Sequence, residues 1–231
     1  MAFLGHSARL LLHCTAASAD AERWTALGFD ILESSEHEAL LTDGQINVVL
    51  RTGDQQPPQL EYLGASLQSI KDKILAGGNV LEKIGTEELV FAGPGMLRYS
   101  IKPATAANVV HCTGDSNPVL GYVDALVVPV VDADQAAVWA QACGYFIAEA
   151  SGRDIHCVDV TDGIWMLSFR EQPAGAPFLH YTADIDQEWI DDISGIFPDA
   201  KVMRSGDGTV DLFICSMPGG LPIMITNDEI E

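Results

Sequence analysis

The sequence predicts an α+β fold built from four βαβββ modules in tandem, and three observations carry that prediction. "TDGQINVVLR" at 42–51 matches "TDGIWMLSFR" at 161–170, with Thr42, Asp43, Gly44 and Arg51 recurring as Thr161, Asp162, Gly163 and Arg170 at a constant offset of 119. "PGMLRYSI" at 94–101 matches "PGGLPIMI" at 218–225 at an offset of 124. The order strand, short helix, then turn-punctuated strands can also be read four times. Repetition at a fixed period identifies a duplicated architecture before any single element is assigned.

The modules fall at about 8–53, 58–103, 119–172 and 176–228. Their helices are read in "SADAERWTALGF", "SLQSIKDKILAGG", "DADQAAVWAQACGY" and "DIDQEWIDDISGIF". Each opens on Ser or Asp, whose side chain can accept from the first free backbone N–H groups, and the first three run into Gly. The Thr-Asp-Gly segments are turn dipeptides leading into apolar strands. Proline-bearing joins at Gln55–Pro58 and Gln172–Pro177 separate modules within each half. A first half over 1–106, a linker at 107–118 and a second half over 119–231 follow from this pattern.

Composition fits a globular chain, because 48% of the 231 residues are apolar, enough to fill a core. The formal charge is −21, from 12 basic and 33 acidic residues. Such a surface repels phosphate backbones and anionic lipid, so nucleic-acid and membrane partners are not expected. Solubility, a saline habitat or a cationic partner would each account for it. The start "MAFLGHSARLLLHC" reads as a first strand, since Arg9 and His13 interrupt its apolar patch. No apolar run approaches the roughly 18 to 20 residues needed to span a bilayer.

Five cysteines with no Cys-x-x-Cys pair fit neither a disulfide framework nor a zinc knuckle, and read as reduced thiols of a cytoplasmic protein. Three His-Cys dipeptides, His13-Cys14, His111-Cys112 and His156-Cys157, raise the question of metal or nucleophile. Neighbours along a strand point to opposite faces, so a dipeptide cannot place both side chains in one site. Packing explains the three pairs better than chemistry does.

Four such modules resemble the vicinal oxygen chelate superfamily, which includes glyoxalase I, fosfomycin and bleomycin resistance proteins and extradiol dioxygenases. The resemblance rests on the helix-closing "LGF" at 27–29 and "CGY" at 143–145, and on the "TDG", "PGM" and "PGG" turns before final strands. It implies that modules pair into two curved mixed-sheet cups with helices outside. It also implies that metal-bearing members draw ligands from first and last strands. Carried onto this chain, the first-strand position, usually His, falls on His13, Tyr62, His180, and Asp124 or Ala125. The last-strand position, usually Glu, falls on Val48, Ser100, Leu167 and Met224. None of these four is a carboxylate, and Val, Leu and Met offer nothing to a hard or borderline cation. No cofactor and no metal is therefore expected.

The expected site is a cup lined by His13, Val48, Tyr62, Ser100, Asp124, Leu167, His180 and Met224. A mostly apolar set with a few polar groups is the composition of a small-molecule pocket. No activated nucleophile or paired acid and base can be assigned. The expected function is metal-free binding of a small uncharged or cationic organic molecule, with a metal-dependent lyase or dioxygenase of the same superfamily as the alternative. A homodimer is compatible with this reading. Arg51 and Arg170 are expected to form a duplicated ion pair, Trp24, Trp139 and Trp189 to bury against the sheet, and Trp165 to line the cup. The acidic run Asp184, Asp186, Glu188, Asp191 and Asp192 reads as a solvated helix face.

Overall fold

The computed structural model describes residues 4–64, 66–104, 112–115, 117–151, 156–172 and 175–227. The first module contains β1 (Ser7–Cys14), α1 (Ala17–Thr25), β2 (Asp30–Ser34), β3 (Glu38–Thr42) and β4 (Asn47–Thr52). The second contains β5 (Gln59–Gly64), α2 (Leu67–Ala76), β6 (Leu81–Ile84), β7 (Leu89–Ala92) and β8 (Arg98–Pro103). In the second half, β9 (Tyr122–Val130), α3 (Ala133–Ala142), β10 (Phe146–Ser151), β11 (Cys157–Thr161) and β12 (Met166–Glu171) form the third module. The fourth consists of β13 (Phe178–Ala183), α4 (Gln187–Ile196), β14 (Lys201–Arg204), β15 (Val210–Ser216) and β16 (Pro222–Asn227). These are the four βαβββ modules that the repeats predict.

The strands form two mixed eight-stranded sheets, ordered β2-β3-β4-β1-β5-β8-β7-β6 and β10-β11-β12-β9-β13-β16-β15-β14. The second order is the first shifted by eight, which is the duplication expressed as topology. Neither sheet closes into a barrel. Within each, first and last strands of a module run parallel, as in β5 with β8 and β13 with β16. Residues group into compact units along a different line. One unit is Met1–Leu11, Pro57–His111 and Ala125–Pro177, and the other is Leu12–Gln56, Cys112–Asp124 and Phe178–Glu231. Each unit thus joins one module from each half.

Helix starts follow local chemistry with one departure. Ser66, Asp132 and Asp186 cap α2, α3 and α4 by accepting from the backbone N–H three residues on. The first helix does not open on Ser18. It begins one residue earlier, behind Ala16, which has no side-chain acceptor. Thr52 supplies the missing one, its Oγ1 accepting from the Ala17 N–H at 3.1 Å. Glu171, 119 residues later, does the same for Ala133 at 3.3 Å.

The repeated Thr-Asp-Gly turn has a structural purpose in both halves. Asp43 Oδ1 accepts from the N–H groups of Gln45 and Ile46, and Asp162 Oδ1 from those of Ile164 and Trp165. Thr42 and Thr161 each donate Oγ1–H four residues on and accept from the turn Gly. Gly44 and Gly163 take φ of 88° and 84°, a left-handed conformation that side chains disfavour. The other carboxylate oxygen is the acceptor for a buried tyrosine in the same compact unit: Tyr62 Oη donates to Asp162 at 2.7 Å, and Tyr181 Oη to Asp43 at 2.6 Å. Both tyrosines and both aspartates again differ by 119. Burial, followed by the aspartate charge, pushes both tyrosine hydroxyls well above their usual range, so they remain donors.

Among the described residues, the expected duplicated ion pair is present once. Arg51 pairs with Glu38 at 2.6 Å, its register partner between β4 and β3. Arg170 faces Cys157 in the matching register and donates to Ser168 Oγ at 3.4 Å. The carboxylate was not duplicated with the arginine. Trp24 is fully buried and Trp165 nearly so, while Trp189 packs edge-on against Phe213 with ring centroids 5.1 Å apart. Asp184, Asp186, Glu188, Asp191 and Asp192 are all exposed. Among the described residues, no helix is long and apolar enough to cross a membrane.

Candidate functional site

Two faces of each sheet are distinguishable by what covers them. In β5 and β8, Tyr62 pairs with Ile101, and a Cβ at Gly64, two residues on, would meet Ile101 and Ile70 of α2. That face is covered by a helix. Glu61 and Ser100 pair on the opposite face, with Gln59 before them and Lys102 after. In β13, β16 and β15, Tyr181, Ile225 and Phe213 lie in register, and Phe213 meets Trp189 of α4. His180 and Met224 are paired on the other face, with Thr226 two residues beyond Met224.

The helix-free face of the second half carries a hydrogen-bonded chain of three side chains. His180 Nδ1 lies 2.7 Å from Asp124 Oδ2, and its Nε2 lies 3.0 Å from Thr226 Oγ1. An ionised carboxylate only accepts, so in the neutral ring the proton sits on Nδ1 and Nε2 accepts from the Thr226 hydroxyl. His180 is nearly buried, at 8% exposure, whereas the Asp124 side chain is 55% exposed. Beside this chain, Met224 is opposed by Ile214 and Thr226 by Leu212, all half-buried. The result is a polar anchor set in an accessible apolar rim.

The corresponding positions of the first half hold charges. Glu61 lies 119 residues before His180, and Lys102 lies 124 before Thr226, the offsets of the sequence repeats. Arg9, paired with Glu61 in the β1–β5 register, reaches it with Nη2 at 2.5 Å and Nε at 2.7 Å. Lys102 Nζ contacts the other carboxylate oxygen. Burial alone would raise the Glu61 carboxyl, but Arg9 and Lys102 outweigh it and hold the group below the usual range.

Four of the other five expected residues are closed to solvent. Val48, Tyr62, Ser100 and Leu167 are fully buried. Tyr62 Oη also lies 2.5 Å from Tyr145 Oη, and Ser100 Oγ accepts from Gln59 at 2.8 Å. His13 is half-buried near Gly53. Of the eight, the structure brings together Asp124, His180 and Met224. Sequence reasoning missed Thr226 and the Arg9, Glu61, Lys102 group. A lone Glu in the apolar strand "QLEYLG" and the shared offsets were the available signals.

The cysteines of the His-Cys dipeptides differ in burial. Cys14 and Cys157 are buried, whereas Cys112 and His156 are exposed; His111 lies outside the described residues. Burial, then Asp20, pushes the Cys14 thiol up to about 11, and burial pushes Cys143 and Cys215 to about 12. Such thiols are not ionised near neutral pH and make poor nucleophiles.

Comparison with solved structures identifies the architecture. The chain is similar to homoprotocatechuate 2,3-dioxygenase from Arthrobacter globiformis, with a TM-score of 0.65 at 13% identity over 97% of this chain and 80% of that one. It is similar to a catechol 2,3-dioxygenase, with a TM-score of 0.60 at 14% identity over 98% and 89%. A halotolerant catechol dioxygenase gives 0.61 at 13% identity over 97% and 86%. The chain has the vicinal oxygen chelate fold. No family profile and no curated protein sequence matches it.

A vicinal oxygen chelate fold implies a metal at first-strand and last-strand positions, and the residues here do not fit one. In the first half two cations already surround Glu61. In the second, both ring nitrogens of His180 are engaged and the last strand offers a thioether and a hydroxyl in place of a carboxylate.

Proposed function

We propose that the protein is a metal-independent binder of a small organic molecule, uncharged or cationic, seated on the helix-free face of the second-half sheet. The observation that carries this reading is the engagement of His180 on both sides, by Asp124 and Thr226. A histidine so held keeps one tautomer and orientation. It presents Asp124 and Thr226 as hydrogen-bonding groups at the edge of an apolar surface formed by Met224, Ile214 and Leu212, the mixture small-molecule sites use. The −21 charge favours cations and disfavours anions, nucleic acid and anionic lipid. Cytoplasmic location and a homodimer belong to the same proposal.

A second reading, a metal-dependent lyase or dioxygenase, is favoured by the likeness to extradiol dioxygenases. Metal analysis of purified protein beside a calorimetric screen of uncharged and cationic aromatics separates the two. Binding reads out as a stoichiometric complex weakened in His180→Ala and Thr226→Ala, with far less than one equivalent of iron, manganese, zinc or nickel. Near-stoichiometric metal lost in His180→Ala, together with ring cleavage of a catechol, would overturn it.

A further inference from the structure

A cleft of about 640 Å3 lies within the first compact unit, between the Pro94–Leu97 turn and the start of α3. Met96, Val131 and Trp139 give it an apolar lining, and Asp132, Gln135 and Gln172 place polar groups on it. Its volume is that of a pocket for a small organic ligand.

The duplication supplies the argument for function. The turn is kept in both halves: Gly95 and Gly219 have φ of 62° and 90°, and Met96 and Gly220 have 64° and 76°. Both turns press on the end of a first strand, since a Cβ on Gly95 would lie 2.3 Å from the Pro129 carbonyl oxygen and one on Gly219 would lie 2.9 Å from Leu12 Cβ. At position 220 the left-handed conformation costs nothing, because the residue is glycine, and Gln55 fills the space a side chain would occupy. At position 96 the same conformation is imposed on methionine, the only non-glycine with positive φ among the described residues. Its side chain is 65% exposed and Val131 is 88% exposed, both on the cleft lining. Packing within the chain does not explain a strained apolar residue held at the surface. Backbone strain of this kind persists where the side chain is needed in place.

We propose that this cleft is a second binding site, which takes an uncharged planar aromatic molecule carrying an N–H or O–H donor. Met96 and Val131 close over an aromatic face against Trp139, whose indole is itself fixed by its N–H to Asn79 and by tilted contact with Tyr99. The Asp132 carboxylate and the Gln135 and Gln172 amides accept from the donor. No lysine, arginine or histidine is among the described lining residues, so an anionic ligand would be repelled by Asp132 without compensation.

The test uses 2-naphthol as probe and 2-naphthoate as its anionic counterpart, titrated calorimetrically against the full chain. With the His180 face disabled by His180→Ala, one equivalent of 2-naphthol should bind, and 2-naphthoate far more weakly. Met96→Gly should weaken 2-naphthol about tenfold through lost apolar contact while its Tm does not fall, because glycine relieves the strained φ. Val131→Asp, at an exposed position, should weaken it comparably. The Met96→Gly and Val131→Asp losses should be the same size in a His180→Ala background, which separates this site from the one proposed above. Absence of 2-naphthol binding, equal affinity in wild type, Met96→Gly and Val131→Asp, or loss confined to His180→Ala would overturn the proposal.

Discussion

The helix-free faces of the two halves began as copies and now carry different side-chain chemistry. In the first, Glu61 is completely buried between Arg9 and Lys102, a cation, anion, cation series that satisfies itself. In the second, His180 stands at Glu61's place and Thr226 at Lys102's, with Asp124 exposed beside them. A buried charge group is costly to disturb, because removing one member leaves the others desolvated and unpaired. A hydrogen-bonded chain with one exposed member can exchange partners with a ligand or water at less cost. The duplicated backbone holds both, so the scaffold does not dictate which side chains a face carries.

The largest test of that contrast is Glu61→Gln. It should destabilise the protein by about 3 kcal/mol, measured by denaturant unfolding, because Arg9 and Lys102 would then face each other without a carboxylate. His180→Ala at the matching position should cost less, about 1 to 2 kcal/mol for two side-chain hydrogen bonds, while removing binding. Equal losses at the two positions would break the comparison.

Next in size are the two buried tyrosines. Tyr62→Phe and Tyr181→Phe should each cost about 1 to 3 kcal/mol by leaving a buried Asp oxygen without its donor. Tyr62→Phe should be the larger, since Tyr62 also meets Tyr145. Acid provides a third measure. Glu61 is held below its usual range, so its stabilisation is complete above the unfolded value and is lost as pH falls through and below it. Thermal melts between pH 6 and pH 3 should fall less steeply in Glu61→Gln than in wild type. The smallest effect belongs to the exposed arginines: Arg51→Ala should cost about 0.5 kcal/mol for its pair with Glu38, and Arg170→Ala less.

How far the sequence could be read varied with the range of the interaction. The Thr-Asp-Gly repeat was legible because a turn's needs are local: Gly for φ, and Thr and Asp for backbone groups within four residues. Its second purpose, accepting from Tyr62 or Tyr181, was not, because those partners lie 100 and 138 residues away. The α1 cap shows the same limit on a smaller scale, since Ser18 was the nearest local candidate and Thr52 the residue used. For the site, alternation along a strand placed His180 and Met224 together. It could not show that Thr226 is the residue within reach of the imidazole.

The sequence by itself determined the four modules, their duplication, the lack of a carboxylate at the last-strand positions and the acidic surface, since these depend on order, period and residue type. Only the tertiary structure decided which strands lie side by side, which turn aspartate meets which tyrosine, and that Glu61 is enclosed while Asp124 is open. Period fixes the face a side chain takes on its own strand. Register between strands and burial by distant segments fix what it meets there, and those come from the packing of the whole chain.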